Sequence, residues 1–205
     1  MPIPSGFVPK AGKQQLMASF NNFLVSQLDG GEVHDGAATS LPLGKTFWWL
    51  FGYPLTTLMF PSISVVEVGL FNKGEFAIGR LLGFESDGTP IKGTRNQTLV
   101  EINCWAKDTD TKADAEKVVR ELRDRIIFAL TNAGQFDETT NGLLIPPIEL
   151  KNYNVIGNPK VGLINIDPSD NAINEKFIVD SVDANIKRYK LLVRIFWFEL
   201  SEPLP

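Results

Sequence analysis

Gln97-Thr98-Leu99-Val100-Glu101-Ile102-Asn103-Cys104-Trp105-Ala106-Lys107 leads without a break into a segment that runs on to Leu130. Its first part is rich in β-branched and aromatic residues, interrupted by Glu101 and Asn103, and reads as a strand. With a period of two, Val100, Ile102, Cys104 and Ala106 share one face, and Leu99, Glu101, Asn103 and Trp105 share the other. One face is dry and the other is mixed. Lys107 to Thr111 then supplies side-chain oxygens for a helix start. Thr111 and Asp114 are spaced like a capping box, which puts the first turn near Thr111. Ala115, Val118, Val119, Leu122, Ile126, Ile127 and Leu130 recur at threes and fours and form one stripe that must be buried. The opposite face carries Glu116 with Arg120 and Glu121 with Arg125, acid first and four apart. Gly134 supplies a left-handed stop. A mixed strand followed by a long amphipathic helix implies a sheet with a helix lying across it.

Working outward, Ala11 to Leu28 reads as a first helix, with Leu16, Phe20, Phe23, Leu24 and Leu28 on one face and Asp29-Gly30-Gly31 closing it. From Asp29 to Lys45 the chain is rich in Gly, Ala, Ser and Thr and reads as a surface loop. Phe47, Trp48, Trp49, Phe51, Tyr53, Leu55, Leu58, Met59 and Phe60 follow as the densest aromatic stretch, which is either core or a contact surface for another protein. Ser62 to Phe71 and Glu75 to Leu82 predict a hairpin turning at Asn72-Lys73-Gly74. Ser86-Asp87-Gly88-Thr89-Pro90 is a turn, and Lys92 to Asn96 a polar connection. After the second helix, Gly142 to Leu150, broken by Pro146-Pro147, suits an edge or bulged strand. Val161 to Ile166 is a short strand and Asp167-Pro168-Ser169-Asp170-Asn171 a turn. Along Ile186 to Leu200, Tyr189, Leu191, Val193, Ile195 and Trp197 alternate with Arg188, Lys190, Arg194, Phe196 and Phe198, so this strand belongs inside the sheet. These elements predict an α+β fold: a mixed, mainly antiparallel β-sheet with an N-terminal helix and one long amphipathic helix packed on it, in a single domain spanning 1–205.

The 205 residues suffice for one good core, and 43% hydrophobic with 21% charged residues is ordinary for a soluble globular protein. A net charge of -4 and a pI near 5.1 argue against gripping DNA by broad phosphate neutralisation. The N-terminus has neither the basic region nor the apolar core of a secretory signal, so the protein is expected in the cytoplasm. Phe47 to Pro61 is too short to span a bilayer, which leaves no membrane partner.

One histidine, His34, and one cysteine, Cys104, exclude a histidine-rich metal site and a cysteine cluster for zinc. Cys104 reads as a small core residue and His34 as a solvated loop residue. Neither a Walker pattern nor G-x-G-x-x-G occurs, so no nucleotide cofactor is expected. Asp108, Asp110, Asp114, Asp167 and Asp170 are the acids available for a carboxylate pair or a divalent cation, but the first three coincide with a helix start, where acids cap and complement the helix dipole. Lys187, Arg188, Lys190 and Arg194 beside Tyr189 and Trp197 come nearest to a basic and aromatic nucleic-acid surface. The plainer reading is a strand face whose charges aid solubility and deter edge pairing. No catalytic, cofactor or metal residue is assigned.

The order of these elements resembles that of bacteriophage tail terminator proteins, also called tail completion proteins. The resemblance rests on the helix Ala11 to Leu28, the strand Val100-Glu101-Ile102-Asn103-Cys104-Trp105-Ala106 and the helix start Asp110-Thr111-Lys112-Ala113-Asp114-Ala115-Glu116. The helix Val118 to Leu130 and the final strand Lys190 to Glu199 complete it. It covers about half the chain by pattern, and the chain departs from the compact members by insertions at about 29–60 and 152–183. The resemblance implies a structural virion protein, not an enzyme, assembled in the host cytoplasm into a ring of typically six subunits at the tail-neck junction. Such a ring caps the head-proximal end of the tail tube, stops its growth and joins it to the neck or head connector. Its partners are then other copies of itself, the tail tube protein, the connector protein and, in a contractile tail, the sheath protein, while DNA only passes through the lumen. On this reading Trp48, Trp49, Phe51 and Tyr53 contact the neighbouring subunit or the tube. The alternatives are another neck or head-tail joining (head completion) protein and a carboxylate-dependent hydrolase.

Overall fold

A computed structural model describes residues 7–9, 13–30, 45–50, 60–70, 80–84, 90–109, 114–139, 141–166, 173–180 and 183–203. In chain order the elements are β1 (Phe7–Pro9), α1 (Lys13–Asp29), β2 (Phe47–Leu50), β3 (Ser62–Leu70), β4 (Arg80–Phe84), β5 (Pro90–Lys107) and α2 (Ala115–Thr131). They continue with β6 (Phe136–Asp137), β7 (Gly142–Leu143), β8 (Ile148–Lys151), β9 (Lys160–Ile166), β10 (Ile173–Val179) and β11 (Ile186–Pro203). Nine of the strands form one sheet whose main path is β2-β3-β5-β11-β9-β8, and every pairing in it is antiparallel except that of β2 with β3. The fold is therefore α+β with a mainly antiparallel sheet.

The centre of the sheet is the pairing of β5 with β11, in continuous register from Ile186 opposite Lys107 to Leu200 opposite Gly93. That register sets Val100, Ile102 and Cys104 beside Val193, Leu191 and Tyr189 on one face, all of them buried. Both helices lie on this face. Ala115, Val119, Leu122, Ile126, Ala129 and Leu130 of α2 join the core with Leu16, Phe20, Leu24 and Leu28 of α1. At roughly 25 cal/mol per Å² of apolar surface removed from water, this contact between sheet and helices is the main favourable contribution to folding. Around its rim the α2 guanidinium groups lie over aromatic rings, Arg120 at 5.3 Å from the Phe177 centroid and Arg123 at 4.8 Å from that of Tyr189.

Cys104 is fully buried in this core, and burial pushes its thiol well above the usual range, so it packs as a small apolar group. Among the described residues no helix is long and apolar enough to cross a membrane.

Several local expectations change. The helix expected from Thr111 is observed from Ala115, and Thr111 lies outside the described residues. Asp114 stands at the N-cap position without a side-chain capping bond; Asp108 Oδ1 instead accepts the Ala115 N–H at 2.8 Å. Glu116 pairs with Arg120 as expected, but Glu121 faces Lys117, and Arg125 donates to the Leu28 carbonyl at the end of α1. Tying two helices together takes Arg125 away from its helical neighbour. Gly134 is left-handed, at φ +75°.

Of the predicted hairpin between Ser62–Phe71 and Glu75–Leu82, residues 71–79 lie outside the described residues. The described parts, β3 and β4, both pair with β5, β3 along Thr98–Trp105 and β4 along Pro90–Gly93. This pairing seats Ile63 and Val65 beside Cys104 and Ile102 in the core. The polar segment Lys92 to Asn96, expected as a connection, is strand because β11 pairs alongside it. The regions read as insertions, 29–60 and 152–183, contain β2, β9 and β10, all parts of the main sheet. Of the edge strand expected over Gly142 to Leu150, only Ile148–Lys151 (β8) joins the main sheet, at its edge, while Gly142–Leu143 pairs apart as β7; α1 covers the β8 margin, where Ser19 Oγ accepts the Lys151 N–H at 2.9 Å.

Two predictions follow from this packing. Trp48→Ala, which empties a fully buried indole site, is expected to lower stability by about 4 kcal/mol in urea unfolding. Asp108→Ala, which frees the first amide of α2, is expected to lower it by about 1 kcal/mol.

Candidate functional site

The face of the sheet turned away from α1 and α2 carries the residues that interrupt the apolar run of β5. Its members follow from register: Ser64 and Lys190 flank Asn103, Val66 and Leu192 flank Glu101, and Ser62 and Arg188 flank Trp105. Strand alternation that sends Ile102 and Cys104 into the core necessarily sends these side chains the other way.

Glu101 is the hub. It is only 2% exposed, and its Oε1 accepts from Arg188 Nη2 at 3.0 Å and from Asn103 Nδ2 at 3.0 Å, while Lys190 Nζ pairs with Oε2. Arg188 Nε donates to Asn103 Oδ1 at 2.8 Å, so one guanidinium spans the acid and the amide. Asn103 Nδ2 also reaches Ser64 Oγ at 3.2 Å, and the Trp105 indole N–H donates to the same hydroxyl at 3.4 Å. The Arg188 guanidinium lies 4.6 Å from the Trp105 ring centroid. A carboxylate this far from water survives ionised only with close cations and filled acceptor positions, and both conditions are met.

The charge of this face opposes that of the chain. Around Glu101, Arg188, Lys190, Arg194 and Lys176 project from it, in a molecule of net charge -4; Glu149 of β8 shares the face farther along, paired with Lys151 and Lys160. Lys176 of β10 stands directly opposite Lys190, a like-charge pair that is unfavourable unless one member is neutralised. Glu101 neutralises Lys190. Lys176 is exposed, and no ion pair engages it among the described residues.

A second surface of different character lies on the helix side. After α2 the chain forms the small β6–β7 hairpin, pairing Phe136 with Leu143 and Asp137 with Gly142. Phe136 is 60% exposed and Leu143 53%, with Leu144 exposed beside them. The hairpin is fastened to its surroundings by backbone hydrogen bonds from Gly134 to Ile145 (2.8 Å) and from Leu144 to Gln135 (2.9 Å), and by Gln135 Nε2 to the Thr131 carbonyl (2.7 Å). Its turn carries Asp137 and the exposed Glu138. No strand is expected from the sequence at Phe136–Asp137; the polar run Asp137-Glu138-Thr139 between Phe136 and Leu143-Leu144 is the signal that points to one.

Among the candidates from sequence, Trp48 is a correction. Rather than standing free for a partner it is 1% exposed, in the core, with its indole N–H donated to Asp29 Oδ2. Its register beside Ile63 points it toward the helices. Trp49 lies in β2, next to it, and nothing is described of its side chain; Phe51 and Tyr53 fall outside the described residues. Tyr189 and Trp197 are buried on the helix face, so they do not interleave with Arg188, Lys190 and Arg194 as a nucleic-acid surface requires. Asp108 and Asp114 line an open cleft of about 530 Å³ at the start of α2, together with Phe60, Lys107 and Val118. Asp108 is committed there to the helix amide. His34, Asp110, Asp167 and Asp170 lie outside the described residues. Among the described residues no group of three His, Cys, Asp or Glu is placed to hold a metal ion.

Glu101→Gln keeps the shape of the hub and removes its charge, leaving Arg188 and Lys190 without a counter-charge. A loss of about 3 kcal/mol in urea unfolding is expected, and an unchanged midpoint would dismiss the hub.

Compared with known proteins, the chain matches no family model and no curated protein, so the functional reading rests on these two surfaces and on the order of the elements.

Proposed function

We propose that this chain is a structural virion protein that closes into a ring, caps the head-proximal end of a phage tail tube, halts its growth and provides the seat for the neck or head connector. The observation that carries the reading is the pair of unlike surfaces on opposite sides of one sheet, a basic polar face and an apolar hairpin with an acidic turn. A ring of identical subunits is built from a heterologous contact, in which every copy offers one surface and receives a different one. A subunit with two dissimilar faces meets that demand. The succession of an N-terminal helix, a mixed strand, an amphipathic helix and a late central strand supports the same reading through its resemblance to tail terminator proteins.

The acidic balance suits a lumen wall that DNA passes without adhering, since phosphate contacts need a surplus of cations. The hexamer, the tube, connector and sheath partners and the location at the tail-neck junction belong to this proposal. Another neck or head-tail joining protein shares the need for two unlike surfaces and is the second reading. A carboxylate hydrolase is less well supported, because Asp108, one of its candidate acids, is bonded to the α2 amide.

Incubated with growing tail tubes, the purified protein is expected to occupy one tube end and arrest elongation. Native mass measurement and negative-stain images of the same preparation should give a closed annular particle. Tubes that lengthen unhindered in the presence of a folded annular particle would favour the second reading, and a substrate turned over by pure protein would overturn both.

A further inference from the structure

We infer that the β6–β7 hairpin of one copy docks on the basic sheet face of a second copy, so that the ring contact is hairpin to sheet; this inference rests on the ring reading above. The two surfaces complement each other in kind. The hairpin offers Phe136 and Leu143, cross-strand neighbours that expose more than half their surface, next to the acidic turn at Glu138. The sheet face offers the half-buried apolar surface of Leu192 and Ile178 on either side of Lys176. Glu138 and Lys176 are both exposed, opposite in sign, and engaged in no ion pair among the described residues.

A subunit cannot satisfy this complementarity alone. The hairpin follows α2, which packs on Val100–Ala106 from the core side, whereas Lys176, Ile178 and Leu192 project from the other side of the same sheet. Separation by the thickness of the sheet is what makes the contact intermolecular and heterologous. The second copy is favoured over an unrelated acidic partner because this chain itself supplies both halves, apolar anchor and acid on the hairpin, apolar floor and cation on the sheet. Exposed aromatic and apolar anchors ringed by charge are the usual composition of the energetic centre of an interface.

The Glu101 hub gives the receiving face its stiffness. Arg188 and Lys190 are held by Glu101 and do not swing out to meet the hairpin, which leaves Lys176 as the cation available to it. The docking contact therefore places its specificity on the Glu138–Lys176 pair and its strength on Phe136 and Leu143.

The test is a set of variants of the full chain, followed by sedimentation velocity and native mass spectrometry over a range of concentrations. E138K and K176E are each expected to weaken assembly about tenfold, the double variant E138K/K176E to restore it to within about threefold, and F136S/L143S to leave monomers with an unchanged thermal midpoint. Mixing E138C with K176C under oxidising conditions should yield a disulfide-linked pair, which each variant alone does not, since Cys104 is buried and does not compete. Wild-type rings with all of these variants still assembling would overturn the docking while leaving the ring reading intact. Variants that keep the ring but no longer cap tubes would assign the hairpin to the tube and overturn it likewise. A wild-type chain that stays monomeric at every concentration would overturn the ring reading itself.

Discussion

The ladder between β5 and β11 is the constraint from which the rest of the molecule follows. Fifteen residues of each strand face one another in unbroken register. Because alternation is strict, a slip of β11 by one residue against β5 would send Arg188 and Lys190 into the helices, away from Glu101, and bring Leu191 and Val193 out to water. The opposite chemistry of the two faces thus fixes the register, and the register in turn sorts every neighbouring strand. β3 and β4 share one margin of β5, and β9 and β10 share one margin of β11. The ends are fastened as well. Lys107 and the Asn185 amide hold the Asp183 carboxylate below the usual carboxylate range at the tight connection into β11.

The sheet divides labour between its sides. One side is an apolar bed for two helices, and its stability comes from area removed from water. The other side holds an ionised network whose net contribution is small when complete and whose disruption is costly, since any missing member strands a partner. Buried ion networks of this type are poor stabilisers compared with apolar packing. Here the network holds long side chains of a broad sheet surface in fixed positions, Arg188 flat on Trp105 and Lys190 drawn down to Glu101. A surface whose side chains are already immobile loses less entropy on meeting a partner.

Much of the fold was legible because long periodic segments leave little ambiguity. The stripe from Ala115 to Leu130 and the alternation from Tyr189 to Trp197 are both buried as their spacing requires. Glu101 and Asn103 were visible as interruptions, but not as a site, because Arg188 and Lys190 are more than eighty residues away and only register brings them together. β10 was missed since Glu175 breaks its alternation; Glu175 is tolerated on the helix side because it is exposed there at the rim, with the Arg123 guanidinium 3.5 Å away. Local turn chemistry at Asn72-Lys73-Gly74 carried no sign that β3 and β4 both pair with β5, a partner distant in sequence from β3. Trp48 illustrates the same limit: aromatic density marks core and contact surface alike, and only the placement of Asp29 at the end of α1 distinguishes them.

The hydroxyl of Ser19, seated on the amide of Lys151, also bears on how copies of the chain meet in solution. An uncovered outermost strand is a template on which chains stack into fibrils. By laying a helix along β8 and occupying one of its outward amides, the fold obstructs that margin against runaway addition.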